Sequence, residues 1–412
     1  MRRSLLSPFI EVLGVLALAL CLAASAAAGP KYKVLHSFAS GKDGEAPYAP
    51  VVVDAKGNVY GTTGGGGAYN YGIAFELTPG HKGWAESVLY SFGATQDDGT
   101  NPQAGLTLDA SGDLYGTTVN GGAYRYGTAF ELTSGSNGWA ETVLHSFCGS
   151  GDGCNPYSNL VFDGVGNLYG TTYNGWSNYG VAYELSPGSD GWTEALLYSF
   201  GGGNDGANPF AGLTWDRAGN LYGTTWMGGS YGQGTVYQLT FSGGSWTERV
   251  LYSFGASRHD GGGPFAGVIF DKSGNLYGAT YVGGPNICFG EHECGIVYKL
   301  TPTKHGSWRE TKVHDFAAGA NGFSPSAVVM DAAGNLYGTT GFGGDPKCYC
   351  GTVFKLTPGA HGKWKYTVLH SFTGGLDGGA PNDPALDSKG NLYGTTMAGG
   401  KYGYGVVFEL TP

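Results

Sequence analysis

Three sets of side chains in this sequence have types suited to chemistry, and each sits at recurring positions. Histidines are the usual acids, bases and metal ligands near neutral pH. His36, His145, His314 and His370 share one position that carries Tyr90, Tyr198 and Tyr252 in other copies. A position that accepts His or Tyr reads as a half-buried aromatic slot on an outer strand. His81, His259, His292, His305 and His361 fall in loops without metal-ligand spacing. The carboxylates form two series. Asp54, Asp109, Asp163, Asp216, Asp271, Asp331 and Asp387 each open a turn, and a group present in every copy builds scaffold. Asp43, Asp98, Asp152, Asp205, Asp260 and Asp377, with Asn321 in the sixth copy, precede Gly in a loop leading into each copy. They read as turn caps; the alternative is a ring of carboxylates and carbonyls able to hold Ca²⁺ or a polar ligand.

Positions where the copies differ carry more information, because a ligand site on a single repeat chain breaks the symmetry. One such position holds Gly64, Val119, Tyr173, Trp226, Tyr281, Gly341 and Met397. Copies three to five thus place large aromatics at one equivalent site, with Asn174 and Trp176 close by. Aromatic faces stack on sugar rings while polar neighbours accept hydroxyl hydrogen bonds. The expected binding residues are Tyr173, Asn174, Trp176, Trp226, Tyr281, Asp205 and Asp260, and the alternative is that the rings only fill space between loops. For an enzyme, the group would be Asp205, Asp260, His259 and Tyr281. No nucleophile, acid and base stand together outside the repeat, so no catalytic residue is assigned.

The elements that position these residues come from the repeat. GNLYGTT or a close variant spans 57–63, 112–118, 166–172, 219–225, 274–280, 334–340 and 390–396, a spacing of 53 to 60 residues. Each copy reads as four strands. In the second they cover Ala104 to Asp109, Leu114 to Thr118, Thr128 to Thr133 and Ala140 to Phe147. The first hairpin carries Asp-x-x-Gly-Asn/Asp, with Asp capping and Gly left-handed. The third, with Pro, Gly and Trp as in Pro79 to Trp84, reads as longer and exposed. Small four-stranded sheets with two apolar faces need neighbours on both sides, which predicts an all-β, seven-bladed β-propeller. The chain opens on a fourth-strand segment, Lys33 to Phe38, and closes on a third-strand segment, Val406 to Leu410. Pairing these N- and C-terminal strands closes the ring and removes its free edges.

The 412 residues include 78 Gly, 28 Tyr, 20 Phe and 9 Trp, with 13% charged. That composition suits short strands and tight turns and disfavours helical bundles. A net charge of −10 without a basic cluster beyond the N-terminus excludes nucleic acid as a partner. Residues 1–28 read as a signal peptide, with Arg2 and Arg3 before an apolar run from Val12 to Ala24 and small residues after it. Residues 29–412 are then one domain without a membrane span, secreted to the periplasm or beyond and monomeric. The mature part keeps six cysteines, an even number that favours disulfides in an exported chain. Cys148 with Cys154 and Cys288 with Cys294 are the expected pairs. Cys348 and Cys350 flank one residue, so exchange with the Cys288 and Cys294 loop stays open.

The unit of GNLYGTT, a Gly-Gly loop, GxxFELTP and a VLYSF-like strand resembles the tandem repeat of the secreted bacterial GloVer (Gloeo/Verruco) repeat family, from about Lys33 to Pro412. The resemblance implies an exported repeat protein, in some members with a C-terminal surface anchor, which is not expected after Thr411 and Pro412 here. The Asp-x-x-Gly-Asn-Leu-Tyr hairpin is also similar to that of NHL-type propellers, mostly binding scaffolds. The expected function is a binding module for a glycan or a protein. The alternatives are a propeller-type polysaccharide lyase or glycoside hydrolase, and a structural or adhesive envelope protein without a small-molecule site.

Overall fold

The computed structural model describes residues 29–136, 138–149, 151–175, 179–289 and 292–412. The expected signal peptide and Trp176 lie outside them. Seven small antiparallel sheets stand in a ring as a seven-bladed β-propeller. The second blade is typical, with strands Thr107–Leu108, Leu114–Thr118, Thr128–Gly135 and Gly138–Ser146 in meander order. In the seventh, Leu392–Ala398 pairs with Val406–Thr411, and that strand pairs on its other side with Lys31–Ser37 from the chain's beginning. The ring therefore closes as the two end segments predict. No helix among the described residues is long and apolar enough to cross a membrane.

The structure assigns each letter of GNLYGTT a task. Gly57 takes φ 88° at the turn, where a side chain would be strained. The Asn58 side-chain amide donates to Asp54 Oδ2 at 2.9 Å, while Asp54 Oδ1 accepts the backbone N–H groups of Lys56 and Asn58. In the fourth blade Leu221 is fully buried, and the Tyr222 hydroxyl donates to Asp216 at 3.0 Å. Gly223 lies under the third-strand ring: a Cβ there would come within 2.4 Å of the Tyr237 hydroxyl oxygen. Gly223→Ala should therefore cost ~1–3 kcal/mol in a thermal melt, from overpacking. The first Thr reaches into the next blade, as in Thr117 to Ser158 O at 3.0 Å and Thr171 to Ala211 O at 3.0 Å. The second accepts a backbone N–H and donates to a carbonyl two residues on, as Thr225 does with Thr235 N and Met227 O.

The apolar core is divided into seven clusters, most of them visibly shared by two adjacent blades. One joins Leu89 and Phe92 of the first blade to Leu106, Leu114 and Phe130 of the second. Another joins Leu35, Phe38 and Val407 of the closing blade to Val51, Ile73 and Phe75 of the first. A bulge at one place in the outer strands turns Leu89, Leu144, Leu197 and Leu251 into these seams. Each blade depends on its neighbours for burial, so stability belongs to the ring.

Three readings change in detail. The third hairpin is tight in the first three blades, as with Gly80 opposite Gly83, because Gly at both corners permits a two-residue turn, whereas in the fifth and sixth it is longer, between Pro302 and Trp308 and between Pro358 and Trp364. The first strand of the second blade shrinks to Thr107–Leu108, since the residues before it bend inward to line the axis. Cys348 bonds to Cys350, its near neighbour, as Cys148 does to Cys154 and Cys288 to Cys294, so no exchange between loops occurs.

Each lead-in loop also places the residue before its Pro at positive φ: Ala46, Asn101, Asn155, Asn208, Gly263, Ser324 and Ala380 lie between 52° and 57°. Asn tolerates this region better than Ala, and Asn101, Asn155 and Asn208 each add a side-chain hydrogen bond to the previous blade, to Gly64 O, Val119 O and Tyr173 O. Ala46→Asn should accordingly stabilise the protein by ~1 kcal/mol, read as a higher melting temperature.

Candidate functional site

On the axis the blades enclose a funnel of about 580 Å³, and two segments of each repeat build its wall. One is the lead-in loop, pinned by the first Thr of the preceding blade. The other follows the second strand and pairs with the lead-in loop of its own blade, as at Cys154 with Asn174, Ala207 with Met227, and Gly261–Gly262 with Val282–Gly283. Both loops thus share one face, and the residue after each lead-in Pro (Tyr48, Gln103, Tyr157, Phe210, Phe265, Ser326 and Asn382) turns into the funnel.

The wall breaks the sevenfold pattern. Blades three to five contribute a continuous aromatic sheet, with ring centroids 4.6 Å apart for Tyr157 and Phe210, 4.1 Å for Phe210 and Phe265, 5.7 Å for Phe265 and Trp226, and 6.0 Å for Trp226 and Tyr281. Tyr173 packs edge-on against Tyr157 and Phe210. The rest of the wall offers Gln103, Asn159, Ser324, Ser326, Asn382 and Asp383. Burial raises the phenol pKa values of Tyr157 and Tyr281, the first with the help of Tyr173, so both rings stay neutral donors at physiological pH.

Asp383 is a single carboxyl on this wall. The Thr hydroxyls that pin the lead-in loops donate to the carbonyl oxygens of Ala49, Ala104, Ser158, Ala211, Ala266 and Asn382, so the residues equivalent to Asp383, one place further on, are Pro50, Gly105, Asn159, Gly212, Gly267 and Ala327. Burial raises its pKa, and a hydrogen bond from Ser326 opposes that rise. No Lys, Arg, His or Glu lines the funnel among the described residues.

Of the residues expected from sequence, Trp226 and Tyr281 line the funnel and Tyr173 backs its aromatic sheet. Asn174 sits exposed above it and donates to Asn155 at 3.3 Å. Asp205 and Asp260 are turned away into their loops. Asp205 accepts the Gly201 N–H at 2.6 Å and the Tyr198 hydroxyl at 3.1 Å, and Asp260 accepts the N–H groups of Gly255 and Ala256 and the Tyr252 hydroxyl. The structure therefore does not bring Asp205, Asp260, His259 and Tyr281 together as one group. Sequence reasoning passed over Tyr48, Tyr157, Phe210, Phe265 and Asp383. Their signal was present: the residues after the lead-in Pro differ from copy to copy just as the chosen position does.

The outer strand explains the His/Tyr position. His36, His145 and His370 approach Asp43, Asp152 and Asp377 at 3.1, 2.8 and 3.1 Å, and Tyr90 donates to Asp98 at 2.9 Å. Where Asn321 replaces Asp, His314 stacks on Tyr366 at 4.2 Å. These pairs lock the lead-in turn. No group of three or more His, Cys, Asp or Glu side chains among the described residues gathers as a metal set would, and the lead-in carboxylates are spent on amides.

Comparison with known proteins follows the fold. The family model of a Gloeobacter/Verrucomicrobia repeat matches residues 24–229 and again 211–412. No curated protein matches the chain. The extracellular domain of a one-component system from B. thetaiotaomicron is similar with a TM-score of 0.53 at 10% identity, over 92% of this chain and 40% of that one. An oxidoreductase (glucose dehydrogenase) from Thermus thermophilus gives 0.46 at 14% identity, over 93% of this chain and 100% of that one. A 6-phosphogluconolactonase from Bacteroides uniformis gives 0.49 at 14% identity, over 78% and 84%. Likeness at such identities is likeness of fold.

Proposed function

The chain belongs to the Gloeobacter/Verrucomicrobia repeat family, and from that premise we propose that it is an exported, non-catalytic binding module that holds a glycan without acidic groups in its axial funnel. The observation that carries this reading is the aromatic sheet of Tyr157, Phe210, Phe265, Trp226 and Tyr281 facing amide and hydroxyl groups across one cavity. Sugar rings bury their C–H faces on such aromatics, and amides satisfy their hydroxyls. An acidic glycan would meet a carboxyl and no cation. Three disulfides fit an oxidising compartment, as does the leader expected at residues 1–28.

Glycoside hydrolysis in its usual form needs two carboxyl groups flanking the scissile bond, and the funnel presents Asp383 alone. A lyase acting on uronates must neutralise the substrate carboxylate, and no Lys, Arg or His lines the funnel among the described residues to do so by charge. Binding is therefore favoured over both. The test is a glycan array probed with the protein, followed by calorimetry on any hit. Trp226→Ala is expected to weaken binding at least ~10-fold, in line with the loss of a buried aromatic anchor. A hit whose affinity survives both Trp226→Ala and Tyr281→Ala would place the ligand elsewhere.

A further inference from the structure

We propose that the ligand carries an ammonium group, which seats against Asp383 while its flanking carbons lie on the aromatic sheet. This rests on the funnel being the ligand site and narrows what it takes: an amino sugar with a free amine, or a small organic ammonium ion.

The argument begins with what surrounds Asp383. It is the one acidic side chain on the wall, and the other titratable groups there are the phenols of Tyr48, Tyr157 and Tyr281. No Lys, Arg or His among the described residues lines the wall with it. A carboxyl so placed is costly to ionise unless a partner arrives, and the other six blades carry an uncharged residue there, Pro50, Gly105, Asn159, Gly212, Gly267 and Ala327. The seventh keeps a carboxyl there, with the Ser326 hydroxyl as a hydrogen-bond partner and no Lys, Arg or His on the wall among the described residues. The opposite wall points the same way, because a cation within ~6 Å of an aromatic face is attracted by the ring quadrupole, most strongly by Trp. A net charge of −10 adds long-range attraction for cations.

Proton balance follows. Burial raises the Asp383 carboxyl while the Ser326 hydroxyl opposes the rise; an arriving R–NH₃⁺ pairs with the carboxylate form, and any proton that Asp383 still carries passes to the buffer. Affinity for the ammonium ligand should rise with pH while Asp383 is still protonated in the free protein, and fall again once the free amine loses its own proton.

The experiment is calorimetry of the full chain with three probes: a glucosamine tetrasaccharide, the N-acetylated tetrasaccharide and butylammonium. The expected result is at least ~10-fold tighter binding of the glucosamine oligomer than of its N-acetylated counterpart, and loss of the difference in Asp383→Asn. Asp383→Ala serves as the folding control, since Ala327 stands at the equivalent place in the sixth blade. Equal binding of both oligomers, unchanged by Asp383→Asn, would overturn the ammonium inference and leave the glycan reading standing. Asp383-dependent binding of butylammonium alone would support the inference and overturn the glycan reading. No heat with any probe would overturn both.

Discussion

A protein lacking residues 29–38 is expected to lose its cooperative melt and to aggregate, and a synthetic peptide of those ten residues is expected to restore the fold. The segment supplies the outer strand of the seventh blade, six paired positions from Lys31 with Thr411 to Ser37 with Val406. It also supplies Leu35 and Phe38 to the seam with the first blade, and Tyr32 to the seam with the sixth, where its ring stacks on His370 at 3.9 Å. Phe38 is fully buried and meets Phe75 at 5.3 Å. Losing three such side chains costs roughly 5–9 kcal/mol, comparable with the whole stability of a typical domain. The strand Val406–Thr411 would then present an open edge, a template for pairing with other chains. Full-length melting behaviour in the truncated protein, measured by calorimetry, would show that closure does not hold the ring.

The second large effect is on the alkaline side. Glu86, Glu141, Glu194, Glu248 and Glu310 occupy one position on the outer strands, and each has a buried Oε1 without a hydrogen-bond partner. Burial, reinforced by the Asp of the neighbouring lead-in turn, pushes Glu86 up to about 7 beside Asp43, Glu141 to about 8 beside Asp98, Glu248 to about 7 beside Asp205 and Glu310 to about 7 beside Asp260. Glu194 is also raised, by burial and by Asp152, although His145 opposes it. In each case the folded state holds a proton that the unfolded state releases near pH 4.5. Stability from these groups is thus complete below pH 4.5 and is lost as pH rises through 7 to 8.

After solvent screening at half-buried sites, each of the four glutamates raised to about 7 or 8 contributes on the order of 1 kcal/mol, and together they lower the melting temperature by about 5 °C between pH 6 and pH 9. Histidines limit the acid side. Burial lowers His36 and His370 against the pull of their Asp partners, and His314 falls to about 4, so their contribution is present above pH 6.5 and lost below it. Replacing all five glutamates by Gln should flatten the alkaline limb. A wild-type melting temperature that stays constant from pH 6 to pH 9 would mean that these carboxyls are ionised in the fold.

The sequence by itself determined the number of blades, the hairpin chemistry and the closure, because each is written in short-range spacing. Asp54, Gly57 and Asn58 specify a turn within five residues, and seven copies at a steady period specify a ring once the two ends are read as halves of one blade. Disulfide partners six residues apart were legible for the same reason. Only the tertiary structure decided what faces the axis. Phe210, Phe265 and Asp383 come from loops that look alike in sequence, and their convergence depends on how Thr171, Thr224 and Thr339 pin each next loop inward. The same holds for Glu141 and Asp98, which are 43 residues apart and meet across a seam between blades. Asp205 and Asp260 are of a type that suits a ligand, yet nearby amides and a phenol claim each of them. Local hydrogen bonding fixes a turn from adjacent residues, whereas a cavity wall is the sum of seven distant contributions, and only the closed ring brings those together.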